Sequence, residues 1–357
     1  MGCVEIRLSE HGSTRGKHPY RELIVSLILS GWKPLLQATE NSTSMMTDTI
    51  PPHFEATQPM HSYLTSPLPH LGAWTHYFAN AEIPVLACTA QALEELREKE
   101  DDVDANMLTP VIQADPLMSL KLIRLVATLR TPGVSTETES ITSSLVLMGI
   151  APFFRHFQAQ MTLENWLSDQ PRALQGLQKL LTRSERAGQF ALGFAIHRGD
   201  TDATIIHQAA FLHDFAEMLI WIHAPTLAVD IQDAQEADST LRSNTIQREI
   251  LGIEINDLRQ ALMRLWHFPE LLVNISDDRH AERANVKCVV LAERLARHTA
   301  QGWNNAALPD DYADIAQLLN ASLRVVPSFL HKIDHPILEA TRLGMTISRP
   351  DWPLPLE

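Results

Sequence analysis

The sequence contains few cysteines, few glycines and few aromatic residues, and it has no long apolar run. Three of its 357 residues are cysteines, and these three (Cys3, Cys88 and Cys288) lie far apart without forming a CxxC pair. Neither a zinc knuckle nor a disulfide framework is therefore indicated, and we predict a reduced, cytoplasmic protein. No apolar run reaches the ~18 residues that a membrane helix needs, so no membrane partner is expected.

Basic residues are also in short supply. The chain has 29 Lys and Arg against 43 Asp and Glu, which gives a formal net charge of -14. A surface of this sign repels phosphate backbones, so a nucleic-acid partner is not expected. Hydrophobic residues make up 45% of the chain, whereas aromatic residues make up 6% and glycines number 14. This balance favours a helical protein over a β-sandwich.

Common catalytic motifs are missing as well. The sequence has no GxGxxG after a strand, no GxxxxGK[ST], no GxSxG and no HExxH. These patterns would have indicated dinucleotide binding, phosphate binding, a serine nucleophile and a zinc protease, respectively. The sequence therefore predicts no catalytic residues and no cofactor.

Residues 1–60 have no sustained hydrophobic period and are predicted to form a poorly ordered extension, with Met45 or Met46 as a candidate for the true start. Helical patterns begin near Leu71 and continue without any persistent strand pattern. The prediction is an all-α protein of about ten or more helices. Beyond the helices discussed below, the pattern places helices at about 159–182, 184–197, 201–222, 240–251, 256–267, 283–301 and 311–331.

Capping residues predict where three of the helices begin or end. Thr89 is expected to cap one helix at its start, and Asp115 followed by Pro116 is expected to begin the next. Gly149 is expected to end the helix that follows.

Several segments, taken in order, together resemble one family, the HDOD domain. It is a helical signalling module related to the HD superfamily of metal-dependent phosphohydrolases. The resemblance implies an HDOD domain over 75–305, a C-terminal helical extension over 306–345 and a tail over 346–357. The segments that carry it are "IPVLACTAQALEEL", "LTPVIQADPLMSLKLIRLVATL", "SITSSLVLMGIAPFFRHF", "AAFLHDFAEML", "EILGIEINDLRQALMRLWHFPELLVNIS" and "VVLAERLAR".

The segment "AAFLHDFAEML" contains the His213–Asp214 pair, which lies where the HD superfamily has metal ligands. The resemblance implies several further His and Asp ligands, because two cations must be held to polarise a phosphate and activate a water. Glu293 stands where a late aspartate is expected. His213, Asp214 and Glu293 are therefore the only metal-ligand candidates, and we interpret them as vestigial.

The remaining ligand positions are filled by residues of other kinds. The segment "RSERAGQF", about 28 residues upstream of the pair, has no histidine. Ile255 replaces a second expected histidine, and Asp278 and Arg279 replace a pair of histidines. An arginine at that place is expected to repel a divalent cation.

The simplest interpretation of His213 and Asp214 is structural, with the two side chains pointing about 100° apart on one helix. The flanking histidines His197, His207 and His223 are expected at helix boundaries or facing solvent. Glu293 is expected to pair with a nearby arginine at helical spacing.

These departures lead to one main hypothesis and two alternatives. The first is a non-catalytic signal-transduction or regulatory protein that acts through protein–protein contacts with other signalling proteins. The alternatives are a degenerate phosphohydrolase with one metal on the three candidate ligands, and a module that senses a nucleotide without cleaving it. No motif supports a nucleotide second messenger as a ligand.

Overall fold

The computed structural model describes residues 62–129, 140–238 and 241–342, with side chains described as far as residue 334. The extension predicted for residues 1–60 and the tail predicted for 346–357 lie outside these ranges. The described chain is all-helical apart from one isolated bridge between Val85 and Thr162, so the all-α prediction is confirmed. No helix in the described ranges is long and apolar enough to cross a bilayer.

The first half of the described chain is a series of short helices with one 3-10 turn. In chain order these are α1 (Leu71–Ala79), α2 (Ala87–Arg97), η1 (Glu100–Asp102), α3 (Ala105–Gln113), α4 (Pro116–Leu129), α5 (Ile141–Met148), α6 (Ile150–His156) and α7 (Leu163–Trp166).

The second half contains the long helices. They are α8 (Pro171–Arg198), α9 (Ala203–Phe211), α10 (Phe215–His223), α11 (Pro225–Ala237), α12 (Ser243–Leu251), α13 (Ile255–Leu265), α14 (Glu270–Ile275), η2 (Asp278–His280), α15 (Ala284–His298), α16 (Leu308–Leu319) and α17 (Val326–Arg342).

Two of the three predicted caps are confirmed. The buried carboxylate of Asp115 accepts hydrogen bonds from the backbone N–H groups of Leu117 and Met118 at the start of α4, and Gly149 ends α5 with φ of 81°. The prediction for Thr89 was wrong, since α2 begins at Ala87 and Thr89 is buried inside the helix. An additional bond from the Leu86 N–H to Asp115 links the start of α2 to the start of α4.

Helix α8 is the centre of the fold. The sequence pattern predicted helices over 159–182 and 184–197, but the structure has one continuous helix over Pro171–Arg198, about 42 Å long. It packs against α9, α10, α11, α15, α16 and α17. No proline interrupts it after its first position. Its glycines let neighbours approach closely: a Cβ at Gly176 would lie 2.4 Å from the Trp221 ring.

The helix predicted over 201–222 is in fact two helices. Leu212, His213 and Asp214 separate α9 from α10, with the His213 N–H donating to the Ala210 carbonyl in a tight turn. Continuous hydrophobicity hid this break, because both short helices are almost entirely buried and show no polar face at their junction.

Candidate functional site

The His213–Asp214 pair lies in the turn between α9 and α10, and not within a helix as the sequence pattern suggested. The turn lets the two side chains face each other, with His213 Nδ1 3.1 Å from Asp214 Oδ1. Both side chains are largely buried, at 10% and 8% exposure. The expected divergence of about 100° does not occur, because a turn does not impose helical spacing.

Arg183 of α8 binds the second oxygen of Asp214. Its Nε and Nη2 donate to Asp214 Oδ2 at 2.9 and 2.6 Å, and Nη2 also donates to Glu217 Oε2 at 2.9 Å. Arg183 and His213 together hold the pKa of Asp214 well below its usual range, despite the opposing effect of burial. Asp214 is therefore a buried carboxylate whose charge is neutralised by an arginine.

A second arginine lies on the other side of His213. Asp278 lies in η2, and both of its carboxylate oxygens are 3.1 Å from His213 Nε2, within hydrogen-bond distance. Arg259 of α13 donates to Asp278 Oδ2 at 3.1 Å, to the His213 carbonyl at 3.1 Å and to the Ser276 carbonyl at 2.9 Å. Burial opposes ionisation of Asp278, but His213 and Arg259 outweigh it and lower the pKa of that carboxyl.

Glu293 of α15 is the third candidate ligand, and it is 2% exposed. Its Oε2 lies 3.9 Å from His213 Nδ1, too far for a hydrogen bond, and neither of its oxygens has a hydrogen-bond partner. The expected pairing of Glu293 with an arginine at helical spacing does not occur. Burial and the nearby Asp214 raise its pKa to about 8, so the carboxyl is mostly neutral at pH 7.

The charges of the cluster cancel. Burial and Arg259 disfavour the protonated form of His213, but Asp278, Glu293 and the bond to Asp214 overcome them and raise its pKa to about 9. At neutral pH the cluster thus carries three positive groups, the third being His213 beside the two arginines. Three carboxylates oppose them, namely Asp214, Glu217 and Asp278.

The cluster does not fit a two-metal centre. In the described part of the chain, one group of residues could bind a metal, and it is His213, Asp214 and Glu293, whose ligand atoms lie within 4.8 Å of one another. Three donors fall short of the set that two cations need. One of the three, Asp214, already accepts two hydrogen bonds from an arginine on one oxygen.

The structure separates the residues that the sequence placed at the missing ligand positions. Asp278 faces His213, whereas Arg279 turns away to pair with Asp277 and is 61% exposed. The sequence suggested that Arg279 would repel a cation at the site. This expectation was wrong, because Arg279 points away from His213. Ile255 is buried at the start of α13, where an apolar side chain coordinates nothing.

Sequence reasoning missed both arginines of the cluster, Arg183 and Arg259, and a signal existed for Arg183. Arg183 begins the segment "RSERAGQF", whose lack of histidine is the feature on which the sequence prediction rests. A signal was present: Arg183 and Arg186 share a helix face with the apolar residues Leu180 and Ala187, and a charged residue on an apolar helix face usually has a buried partner. Glu185 stands in the same segment, and burial raises its pKa to about 7.

His223 lies at a helix boundary, as one of the two expectations had it, because it is the last residue of α10, and its side chain is buried. Its Nε2 lies 2.9 Å from the Glu82 carbonyl, and its ring packs edge-on against Phe78 and Trp166. This histidine helps to hold the chain before α2 against α10.

The family model described as "HDOD domain" matches residues 83–282, more than half of the chain. The chain belongs to the HDOD family. The match begins two residues before Val85 and ends just before α15. It includes four elements of the cluster: α8, the α9–α10 turn, α13 and η2. Glu293 lies beyond the match. No curated protein sequence matches the chain.

Solved structures that are similar to this HDOD protein have low sequence identity to it. The MmoQ response regulator of Methylococcus capsulatus is 17% identical, with a TM-score of 0.52, over 69% of this chain and 96% of that chain. A virulence factor of Campylobacter jejuni is 18% identical, with a TM-score of 0.53, over 78% of this chain and 92% of that chain. An HDOD domain protein of unknown function from Geobacter sulfurreducens is 14% identical, with a TM-score of 0.42, over 76% and 96%.

Proposed function

We propose that this HDOD protein is a non-catalytic regulatory protein of the cytoplasm that acts through contacts with other signalling proteins. The observation that carries the proposal is the double hydrogen bond from Arg183 to Asp214. A hydrolase of the HD type needs this carboxylate free to bind a cation. Here a permanently charged guanidinium holds it instead.

The enclosure of the cluster supports the same proposal. Asp214, Arg259 and Glu293 are each at most 6% exposed, which leaves little room for a phosphoester to approach a metal or a water there. The relative named as a response regulator adds support for a regulatory setting, since the fold of that protein is shared over most of its length.

The test is a hydrolysis assay on purified protein with Mn²⁺ or Mg²⁺, using a phosphodiester and a panel of nucleotides as substrates. We expect no turnover above that of a His213→Ala variant. Metal-dependent turnover that is lost in His213→Ala would refute the proposal. Circular dichroism provides the check on folding, and it should give the same helical signal for wild type and His213→Ala.

A second candidate function is a phosphohydrolase with a single metal on His213, Asp214 and Glu293. The observation that favours it is the pair of Glu293 oxygens that are buried without a hydrogen-bond partner. Metal analysis of protein purified without a His tag separates the candidates. Stoichiometric Fe, Mn or Zn supports the enzyme, and its absence supports the regulatory protein.

A nucleotide-sensing role is tested in parallel by thermal shift. A nucleotide that binds only the folded protein raises its melting temperature. A rise with one nucleotide and none with the others would favour a sensor. We expect a flat response, because the cluster's charges already balance within the protein.

A further inference from the structure

Arg183 forms ion pairs with two carboxylates of the cluster, and its position between them resembles that of a bound cation. It is the group that touches both Asp214, in the turn between α9 and α10, and Glu217, in the first turn of α10. Its side chain is 19% exposed, so its charge interacts with these carboxylates through largely dry surroundings. The guanidinium thereby neutralises two carboxylates from one side of the cluster.

The donor set on the other side of Asp214 is nearly assembled. His213 Nδ1, an Asp214 oxygen and a Glu293 oxygen lie within 4.8 Å of one another, and Glu293 is buried with both oxygens lacking a hydrogen-bond partner. Nitrogen and carboxylate donors in this number hold Zn²⁺ or Mn²⁺ in proteins, with water completing the coordination. Three candidate ligand atoms are thus close together, and a metal that binds there displaces the protons of His213 and Glu293.

We infer that Arg183 performs the electrostatic role of a divalent cation in this cluster, and that removing its guanidinium converts His213, Asp214 and Glu293 into a single-metal site. Three consequences follow. The wild-type protein does not need a metal to fold and does not bind one tightly. A variant without the charge at position 183 has a buried carboxylate at Asp214 that has lost the guanidinium donating two hydrogen bonds to it. A small divalent cation, bound as His213 and Glu293 release their protons, then supplies positive charge beside Asp214.

The experiment uses the full chain, purified without a His tag and dialysed against EDTA. Arg183→Ala and Arg183→Gln are compared with wild type, with Zn²⁺ and Mn²⁺ added separately. We expect both variants to melt below wild type in EDTA, to bind about one metal ion per chain by mass spectrometry of the metal, and to gain roughly 5 °C or more in Tm with the metal. Wild type should bind none and show no change.

Two further variants give matched controls. Arg183→Ala combined with Glu293→Gln lacks one ligand and should lose the metal-dependent gain. Arg172→Ala removes an arginine of the same helix whose pair with Asp233 is exposed, so it should behave as wild type. A gain in Arg172→Ala as large as that in Arg183→Ala would indicate non-specific metal binding and would contradict the inference.

The remaining outcomes are also decisive. If Arg183→Ala and Arg183→Gln fold but bind no metal, or if they stay unfolded with metal present, Arg183 is a structural ion pair and the inference is wrong. If wild type binds one metal and hydrolyses a phosphoester, the proposed regulatory function fails. Metal binding by the Arg183 variants alone, together with an inactive wild type, supports both the inference and the proposed regulatory function. Failure of the inference and failure of the proposed function therefore give different results.

Discussion

Arg186 of α8 and Asp334 of α17 form an ion pair that is almost entirely removed from solvent, with 3% and 1% side-chain exposure. Nε and Nη2 of the arginine donate to the two carboxylate oxygens at 2.6 and 2.8 Å. The remaining N–H groups donate to the Thr299 side chain and carbonyl and to the Ala296 carbonyl, and Trp303 donates to Asp334. All five guanidinium donors are therefore satisfied.

Replacing Asp334 by Asn should destabilise the protein by about 3–5 kcal/mol, because Arg186 then remains charged and buried without a counter-ion. Urea unfolding followed by circular dichroism measures the change in free energy. The matched control is Asp233→Asn, which removes the exposed partner of Arg172 and should leave the free energy of unfolding almost unchanged. Equal effects of the two substitutions would show that burial of the Arg186 pair does not matter for stability.

Asp278→Asn should lower the pKa of His213 from its value of about 9, because Asp278 is one of the carboxylates that stabilise the imidazolium. An NMR titration of the His213 ring, assigned with His213→Ala, gives the pKa directly. Asp277→Asn is the control, since Asp277 faces the exposed Arg279 instead. A His213 pKa that is unchanged in Asp278→Asn would refute the contact across the cluster.

Wild-type stability should fall as pH rises from about 6.5 to about 9. Both Glu293 and His213 have folded-state pKa values above their unfolded ones, at about 8 and about 9. As the pH rises, each group loses its proton in the unfolded chain before it does so in the folded protein. Over the pH range in which a group is protonated only in the folded protein, the free energy of unfolding falls by about 1.4 kcal/mol per pH unit. Urea unfolding at several pH values measures this slope.

The Glu293→Gln variant isolates one of the two contributions. Its neutral amide keeps the shape of the protonated acid but does not titrate. Between pH 6.5 and 8 its stability should fall about half as steeply as that of wild type, with the His213 contribution remaining. An identical slope in the two proteins would mean that Glu293 is already ionised at neutral pH.

Gly176→Ala should destabilise the protein by about 1–3 kcal/mol, since the new Cβ would lie 2.4 Å from the buried Trp221 ring and one of them must move. Gly188→Ala is the milder comparison, because a Cβ at Gly188 would lie 3.2 Å from its nearest neighbouring atoms. The gain in helix propensity, about 1 kcal/mol, should largely offset that milder contact. Thermal unfolding checks both, and a larger loss at Gly188 would contradict the packing described for Trp221.

Local rules predicted the parts of the fold that depend on local chemistry. Asp115, Pro116 and Gly149 act as their residue types suggest, because a cap needs only its own turn of backbone. The turn at His213 was not predictable in this way. It is fixed by the packing of α9 and α10 against α8, and a wholly buried segment carries no periodic signal at such a break.

The site shows the same division. The departures at Ile255 and at the missing upstream histidine were visible in the sequence and hold in the structure. Which of two neighbours, Asp278 or Arg279, faces His213 depends on the backbone of η2, and spacing alone does not resolve a difference of one residue. Arg183 was overlooked because its partners lie 31 and 34 residues along the chain.

The contacts of Arg186 bear on where the protein can be cut. The match to the family ends at residue 282, yet every hydrogen-bond acceptor of this guanidinium lies beyond that point. A fragment trimmed to the family boundary would lack all of these acceptors and would expose the part of α8 that α15, α16 and α17 cover. We therefore expect that a stable fragment of this chain has to extend at least through Asp334.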